Sequence, residues 1–151
     1  MGAVDFMLER RVAAPPAEVF ARLVDIEAYN EWMPRKGSIR RRSEQTSTGN
    51  PAVGTTYVDH TRMGRFVGEV TEHVPATRIA FSETLSWFDR PLTRARPSYV
   101  LEADGDSTVV HHVAEGELYG PMRLLKPVAA WMATRERTHT VASLERSLEG
   151  E

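Results

Sequence analysis

The 151-residue sequence contains no cysteine. This absence excludes disulfide bonds, thiolate nucleophiles and metal or iron–sulfur centres with cysteine ligands. No apolar run approaches the roughly 18 residues that a membrane-spanning helix requires, so we expect no insertion into a membrane. Residues 1–12 also lack the apolar segment of a secretory signal. These features lead us to expect a cytoplasmic protein.

Motifs that bind common cofactors are missing as well. The sequence has no Gly-x-Gly-x-x-Gly, no Walker loop and no Gly-x-Ser-x-Gly elbow. We therefore expect no serine-hydrolase chemistry, and we predict that the protein uses no cofactor, whether a nucleotide or another group.

The chain has no excess of positive charge, because it contains 19 Lys and Arg residues and 21 Asp and Glu residues, for a formal net charge of -2. Nucleic-acid-binding domains usually carry a clear positive excess, so we expect no nucleic-acid partner. Residues 35–42, RKGSIRRR, are a local exception with five basic side chains. We interpret this run as a solvated strand face and leave open a weak preference for anions.

The hydrophobic pattern predicts an α+β fold. Apolar and polar residues alternate from Val4 into the first strand. Pro15 and Pro16 then suit a helix start, and a second short helix is predicted over residues 27–32. From residue 38 to residue 118 the period is two, which predicts six strands separated by turns. Residues 86–97 contain two prolines and are predicted to form a long loop.

The C-terminal stretch from residue 119 is rich in Ala, Leu, Met, Arg and Glu and predicts a long helix. Pro121 suits its start, and Pro127 predicts a kink or break near Lys126. Gly150 suits its end. We expect an antiparallel sheet in which the first strand pairs with the last and the long helix covers one face.

Several segments are similar to one known family. They are APPAEVFARLVDIEAYNEWMP at 14–34, PAVGTTY at 51–57, EVTEHVPATRIAFS at 69–82, DGDSTVVHHVAEGEL at 104–118 and SLERSLEG at 143–150. In this order they resemble the START-like (SRPBCC) superfamily, and within it the polyketide cyclase/dehydrase and lipid-transport branch. The resemblance covers nearly the whole chain, taken as one domain over 1–151. It implies a helix-grip fold, in which a seven-stranded curved antiparallel sheet wraps around the C-terminal helix and encloses an apolar cavity, with two short helices after strand 1.

Two adjacent histidines lie in the last predicted strand. Successive strand residues point to opposite faces, so His111 and His112 cannot both bind one ion, and we expect no metal site. The face of His112 holds the smaller residues, and the resemblance makes its neighbour Val110 an inward position. We therefore place His112 inward, as a hydrogen-bonded core residue or as a group that transfers a proton.

The same alternation leaves two positions open for the carboxyl groups of Asp59 and Glu83, which either are solvated or salt-bridged at a strand end or face the cavity. A carboxylate in apolar surroundings is paired, or its pKa rises toward the range useful for acid–base chemistry. We expect Trp87, with Phe88, to form a lid or to cap the edge of the core. Arg135 is expected to reach Glu83 or Asp59, to hold an anionic ligand group, or to extend its guanidinium to solvent. The candidate ligand-binding residues are Trp32, Tyr57, Phe66, Phe81, Trp87, Tyr99, Leu101, Met122, Leu125, Met132 and Arg135.

Three functions fit these observations. The first is a binder of a small hydrophobic molecule, lipid-like or polyketide-like, as monomer or homodimer. The second is a polyketide aromatase/cyclase or dehydratase that uses His112, Glu83 or Asp59 as catalytic residues. The third is a macromolecular interaction module that uses the sheet edge or the basic strand.

Overall fold

An antiparallel sheet organises residues 2–33 and 38–149, the part of the chain that this computed structural model describes. Seven strands within these residues form the sheet, in the order β1-β7-β6-β5-β4-β3-β2. The strands are β1 (Gly2–Val12), β2 (Arg40–Gln45), β3 (Thr56–Thr61), β4 (Gly64–Val74), β5 (Arg78–Trp87), β6 (Arg90–Asp104) and β7 (Ser107–Leu118). The helices are α1 (Pro16–Val24), α2 (Tyr29–Trp32), a 3₁₀ helix (Gly120–Leu125) and α3 (Lys126–Leu148).

The first strand pairs with the last, as the sequence predicts. The antiparallel register of β1 and β7 extends from Gly2 opposite Leu118 to Val12 opposite Thr108. Because the other strands follow one another in chain order, β2 forms the far edge of the sheet. The α+β helix-grip architecture is therefore confirmed, with its long helix at the C-terminal end.

The predicted loop over residues 86–97 is wrong. Strand β5 continues to Trp87 and β6 begins at Arg90, and the two residues between them have φ values of 50° and 64°. Two positive φ values match the tight turn that suits the twist of a hairpin. Pro97 does lie within the sheet, and the pairing of β5 with β6 skips its position between Ala80–Ser98 and Glu83–Ala95. A proline has no N–H to donate, so the ladder is interrupted there rather than ended.

The predicted break in the C-terminal helix is confirmed. The 3₁₀ helix, which contains Pro121, ends at Leu125, and α3 begins at Lys126. Pro127 therefore lies in the first turn of α3, where its missing N–H is not needed. The predicted stops at Pro34 and Gly150 lie outside the described residues, as do the basic residues at positions 35 and 36.

The packing of α3 is uneven along its length. Its fully buried residues are Val141, Ser143 and Leu144, all in the C-terminal half. Before Val141 every residue of the helix is partly or fully exposed. The second half of α3 therefore completes the core, whereas the first half leaves space above the sheet. Among the described residues, no helix combines the length and the apolarity that crossing a bilayer demands.

Candidate functional site

A cavity of about 260 Å³ lies between the inner face of the sheet and the first half of α3. The sheet contributes Phe66, Leu85 and Leu118 to its wall, and the helical segments contribute Met122 and Met132. Most of the wall is apolar, as in pockets that bind organic molecules. Its charged members are Arg40, Asp59, Glu83, Glu136 and Arg137.

Glu83 is the centre of a buried hydrogen-bonded network. The Tyr57 hydroxyl donates to Glu83 Oε2 at 2.7 Å, and Arg137 Nη2 donates to Glu83 Oε1 at 3.0 Å. The two charged side chains are 9% and 22% exposed. Burial acts to lower the pKa of Arg137, but the adjacent Glu83 carboxylate outweighs that effect and the pKa is raised. Each oxygen of Glu83 therefore has a protein donor, which is what a buried carboxylate requires.

Asp59 is the second carboxyl group of the cavity, and only one of its oxygens is engaged. The Ser43 hydroxyl donates to Asp59 Oδ1 at 2.5 Å, whereas Oδ2 has no hydrogen-bond partner within the described residues. Burial, followed by the negative charge of Glu83, raises the pKa of Asp59 to about 6, although Ser43, Arg40 and Arg137 act in the opposite direction. Asp59 thus presents to the cavity a group that gains and loses a proton near neutral pH.

The raised pKa predicts how Asp59 contributes to stability. In the unfolded chain an aspartate titrates near pKa ~3.9. Below about pH 4 the Asp59 carboxyl is protonated in both the folded and the unfolded chain, and its contribution to the free energy of unfolding is fully present. This contribution is lost as the pH rises through the folded pKa of about 6. We expect Asp59→Asn, which keeps an acceptor for Ser43, to increase the free energy of unfolding at neutral pH by on the order of 2 kcal/mol.

Urea unfolding of the Asp59→Asn variant and the wild type at about pH 4 and about pH 7 tests this expectation. The two proteins should have similar stability at the lower pH and diverge at the higher one. An equal difference at both pH values would show that Asp59 does not titrate between them.

His112 lies on the inner face of β7, but it is part of the core and does not line the cavity. Its side chain is fully buried, its ring stacks on Tyr99 at 4.1 Å between centroids, and Nδ1 lies 2.9 Å from the Ser98 carbonyl oxygen. Burial, followed by the charge of Arg137, lowers the pKa of His112 to about 3. The ring is therefore neutral at ordinary pH, with Nδ1–H donating to Ser98. His111 lies on the outer face, 3.2 Å from the Glu9 carboxylate.

The remaining predicted ligand-binding residues divide into two groups. Those that line the cavity are Phe66, Met122, Leu125 and Met132. Those that are buried in the hydrophobic core, away from the cavity wall, are Trp32, Tyr57, Phe81, Tyr99 and Leu101. Tyr57 still acts on the cavity, because its hydroxyl holds Glu83. Alternation along a strand identifies the residues on the inner face of the sheet. It does not tell which of them line the cavity beneath the first half of α3 and which pack into the hydrophobic core.

The predicted aromatic lid does not form part of the cavity wall. Trp87 and Phe88 lie at the tip of the β5–β6 hairpin and are 56% and 97% exposed. The indole N–H of Trp87 donates to the Met63 carbonyl at 3.4 Å. The prediction rested on a flexible loop over these residues, and the strands that replace the loop keep the two rings at the hairpin tip.

Arg135 does not make the predicted contact with Glu83 or Asp59. It is exposed, and its guanidinium lies 5.9 Å from the centroid of the Trp131 ring. Arg137 bonds Glu83 instead, since two residues along a helix turn the side chain by about 200°. A signal for Arg137 was present in the sequence. The apolar stripe of Val141 and Leu144, extended back by one turn, reaches position 137.

Within the described residues, no group of three or more His, Cys, Asp or Glu side chains is arranged to hold a metal ion. The described residues of the cavity offer carboxyl and guanidinium groups for hydrogen bonding and a largely apolar wall.

Comparisons with known proteins agree with this architecture. The sequence profile of the family described as polyketide cyclase/dehydrase and lipid transport matches residues 3–149. No curated protein matches the chain. Among solved structures, TTHA0849 from Thermus thermophilus is 19% identical, with 96% of this chain and 97% of that chain covered and a TM-score of 0.76.

Two further structures are similar at low identity. A START superfamily protein from Mycobacterium smegmatis is 18% identical, with 99% of this chain and 98% of that chain covered and a TM-score of 0.73. The di-domain ARO/CYC StfQ from the steffimycin biosynthetic pathway is 11% identical, with 98% of this chain and 52% of that chain covered and a TM-score of 0.77. At such identities the similarity establishes a common fold.

Proposed function

The chain belongs to the polyketide cyclase/dehydrase and lipid transport family, and from this premise we propose that it binds a small hydrophobic molecule in the cavity beneath α3. The observation that supports this proposal is a largely apolar cavity with a few charged groups at defined positions. Pockets of this composition bury an apolar ligand body and use convergent polar groups to fix its orientation. The volume of about 260 Å³ is close to the lower end of the range of roughly 300–1,000 Å³ for such pockets.

The polar groups favour a ligand whose polar end donates a hydrogen bond. Arg137 is already paired with Glu83, so it has a carboxylate partner before any ligand arrives. Asp59 lines the cavity, and no donor among the described residues bonds its second carboxyl oxygen. A hydroxyl, phenol or enol group placed at Asp59 satisfies that oxygen, and the apolar part of the ligand then lies against Phe66, Leu85 and Met132.

A variant that fills the cavity tests the proposal. Ala133 lies on the cavity wall, whereas Ala130, on the same helix, does not. We expect Ala133→Phe to weaken the binding of N-phenyl-1-naphthylamine, a neutral fluorescent hydrophobic probe, by at least about tenfold, because the added ring occupies the space beneath α3. Ala130→Phe should change the dissociation constant by less than about twofold.

Circular dichroism melting of both variants verifies that they remain folded. Equal probe affinities for Ala133→Phe and Ala130→Phe would show that the probe binds elsewhere. Organic extraction of the purified wild type, followed by mass spectrometry, identifies the chemical class of any molecule that the cavity retains.

A second candidate is a cyclase or dehydratase in which Asp59 transfers the proton. The observation that favours it is the position of Asp59 on the cavity wall together with its pKa of about 6, because a general acid or base works best when its pKa is close to the working pH. His112 does not suit this role, since it is buried outside the cavity and stays neutral. If the protein is such an enzyme, Asp59→Asn abolishes turnover of a poly-β-ketone and leaves probe binding intact. If it is a carrier, the same variant changes only the affinity.

A further inference from the structure

A second pocket, lined with arginine, lies next to the cavity at the free edge of the sheet. Its volume is about 640 Å³. The described residues that line it are Asn30, Ser38, Arg40, Arg41, Arg42 and Arg62. Ser38 and Arg40 also line the first cavity, so the two spaces adjoin at these residues.

An irregularity in the edge strand brings these arginines together. In the pairing of β2 with β3, Arg40 lies opposite Thr61 and Arg42 lies opposite His60, with a register shift between them. Arg41 is the extra residue of this bulge, and a bulge redirects side chains that regular alternation would send to opposite faces. Arg62 joins them from the end of β3, where its N–H donates to the Ile39 carbonyl at 2.9 Å.

Arg40 has a structural role at the base of the pocket. Its Nη1 donates to Asn30 Oδ1 at 3.2 Å and to Ser43 Oγ at 3.1 Å, and its Nη2 donates to the Tyr29 carbonyl at 3.2 Å. The guanidinium is therefore held by the protein itself. The three other arginines of the pocket are exposed.

Those three exposed arginines have little local compensation. Among the described residues, no carboxylate lines the pocket, and neither Arg41 nor Arg62 forms an ion pair. The Glu44 carboxylate lies 3.9 Å from Arg42, the two side chains are 42% and 61% exposed, and pairs at the surface contribute little. Elsewhere in the protein, Arg78 and Arg96 each lie within 2.7 Å of a carboxylate oxygen. The pocket thus concentrates positive charge that an anion would neutralise.

We infer that Arg41, Arg42 and Arg62 form a binding site for a phosphate-class anion, such as pyrophosphate or a phosphate monoester, beside the hydrophobic cavity. A guanidinium is planar and offers paired N–H donors that match two oxygens of a phosphate group. Three guanidinium groups carry more positive charge than one carboxylate neutralises, and they offer more N–H donors than its two oxygens accept. The tetrahedral oxygens of a phosphate group can accept from all three.

Isothermal titration with inorganic pyrophosphate at constant ionic strength tests this inference. We expect Arg41→Gln and Arg62→Gln each to weaken binding by at least about tenfold, since each removes paired N–H donors to the anion and one of the positive charges concentrated in the pocket. The matched controls are Arg65→Gln and Arg90→Gln, which change exposed arginines outside the pocket. Their pyrophosphate affinity should equal that of the wild type.

A second arm distinguishes a free phosphate compound from a lipid headgroup. It measures binding to vesicles of phosphatidylcholine with and without phosphatidic acid. Pyrophosphate binding that depends on Arg41 and Arg62 supports the site with a soluble ligand. If binding depends on these arginines but occurs only with vesicles that contain phosphatidic acid, the proposed site is supported and its ligand is a lipid headgroup.

Other results overturn the inference. These are no binding in either arm, or binding that Arg65→Gln and Arg90→Gln weaken as much as Arg41→Gln and Arg62→Gln. Because the four side chains are exposed, thermal melting should show that all variants are folded, and without the anion the pocket variants should be no less stable than the wild type.

Discussion

Replacing Glu83 with alanine is expected to lower the free energy of unfolding by about 3 kcal/mol. The carboxylate is 9% exposed and is bonded both to the Tyr57 hydroxyl and to Arg137, whose side chain is 22% exposed. Without it, a largely buried guanidinium has no counter-charge and the tyrosine hydroxyl has no acceptor, so both desolvation costs remain uncompensated. Urea unfolding followed by circular dichroism measures the change.

Two further variants show whether the buried pair is the cause. Combining Glu83→Leu with Arg137→Met removes both charges and should recover at least half of the loss, because an apolar replacement leaves no charge unpaired. Glu72→Ala breaks an exposed pair with Arg78 and should cost less than about 1 kcal/mol. If Glu83→Ala costs no more than Glu72→Ala, the network does not stabilise the fold.

Gly68→Ala is the second substitution expected to have a large effect, at about 2–3 kcal/mol of destabilisation. Gly68 lies opposite Tyr57 in the pairing of β3 with β4, and a Cβ at this position would lie 2.5 Å from Tyr57 Cζ and 2.6 Å from the hydroxyl oxygen. The ring must move, and its hydroxyl then leaves the position from which it donates to Glu83. The destabilisation begins as a steric clash, and it affects the cavity because the hydrogen bond from Tyr57 to Glu83 is lost.

The measurement is again urea unfolding, accompanied by titration of the hydrophobic probe. Tyr57→Leu introduced into the Gly68→Ala protein removes the ring and should make the glycine substitution nearly neutral in that background. Glu69→Ala changes the exposed neighbour on the same strand and should have an effect within about 0.5 kcal/mol. If Gly68→Ala lowers the free energy of unfolding as much in the Tyr57→Leu background as in the wild type, a clash with the tyrosine ring is not the cause.

The order of the strands was predictable because period-two alternation spans most of residues 38–118, and short turns leave few ways to connect such strands. The β5–β6 hairpin was not predictable by the same reasoning. Its turn residues, Phe88 and Asp89, have positive φ values without glycine, so the usual turn signal is missing. Pro91 and Pro97 indicated a loop, although the sheet accommodates both of them.

At the cavity, the sheet residues were easier to predict than the helix residues. Asp59 and Glu83 line the cavity, and alternation identified both as candidates for inward positions while leaving solvated positions at a strand end open. Arg137 depends on the rotational phase of α3, which in turn depends on where the helix begins after Pro127. The orientation of His112 was predictable, but its neutrality was not, because its pKa is lowered by burial of the ring and by the charge of Arg137.

The uneven burial of α3 gives the cavity a way to open. The second half of the helix is fixed to the sheet and the N-terminal strand, since Arg10 contacts Glu145 at 3.2 Å and the Ala13 N–H donates to Glu149 at 3.1 Å. Ahead of Glu136, by contrast, the residues of α3 are half-buried or exposed. Leu125, just before the helix, and Val128 line the cavity and are 48% and 54% exposed. For a ligand bound as proposed, we therefore expect entry past these two side chains through local opening of the first turns of α3, which costs less free energy than unfolding the whole protein.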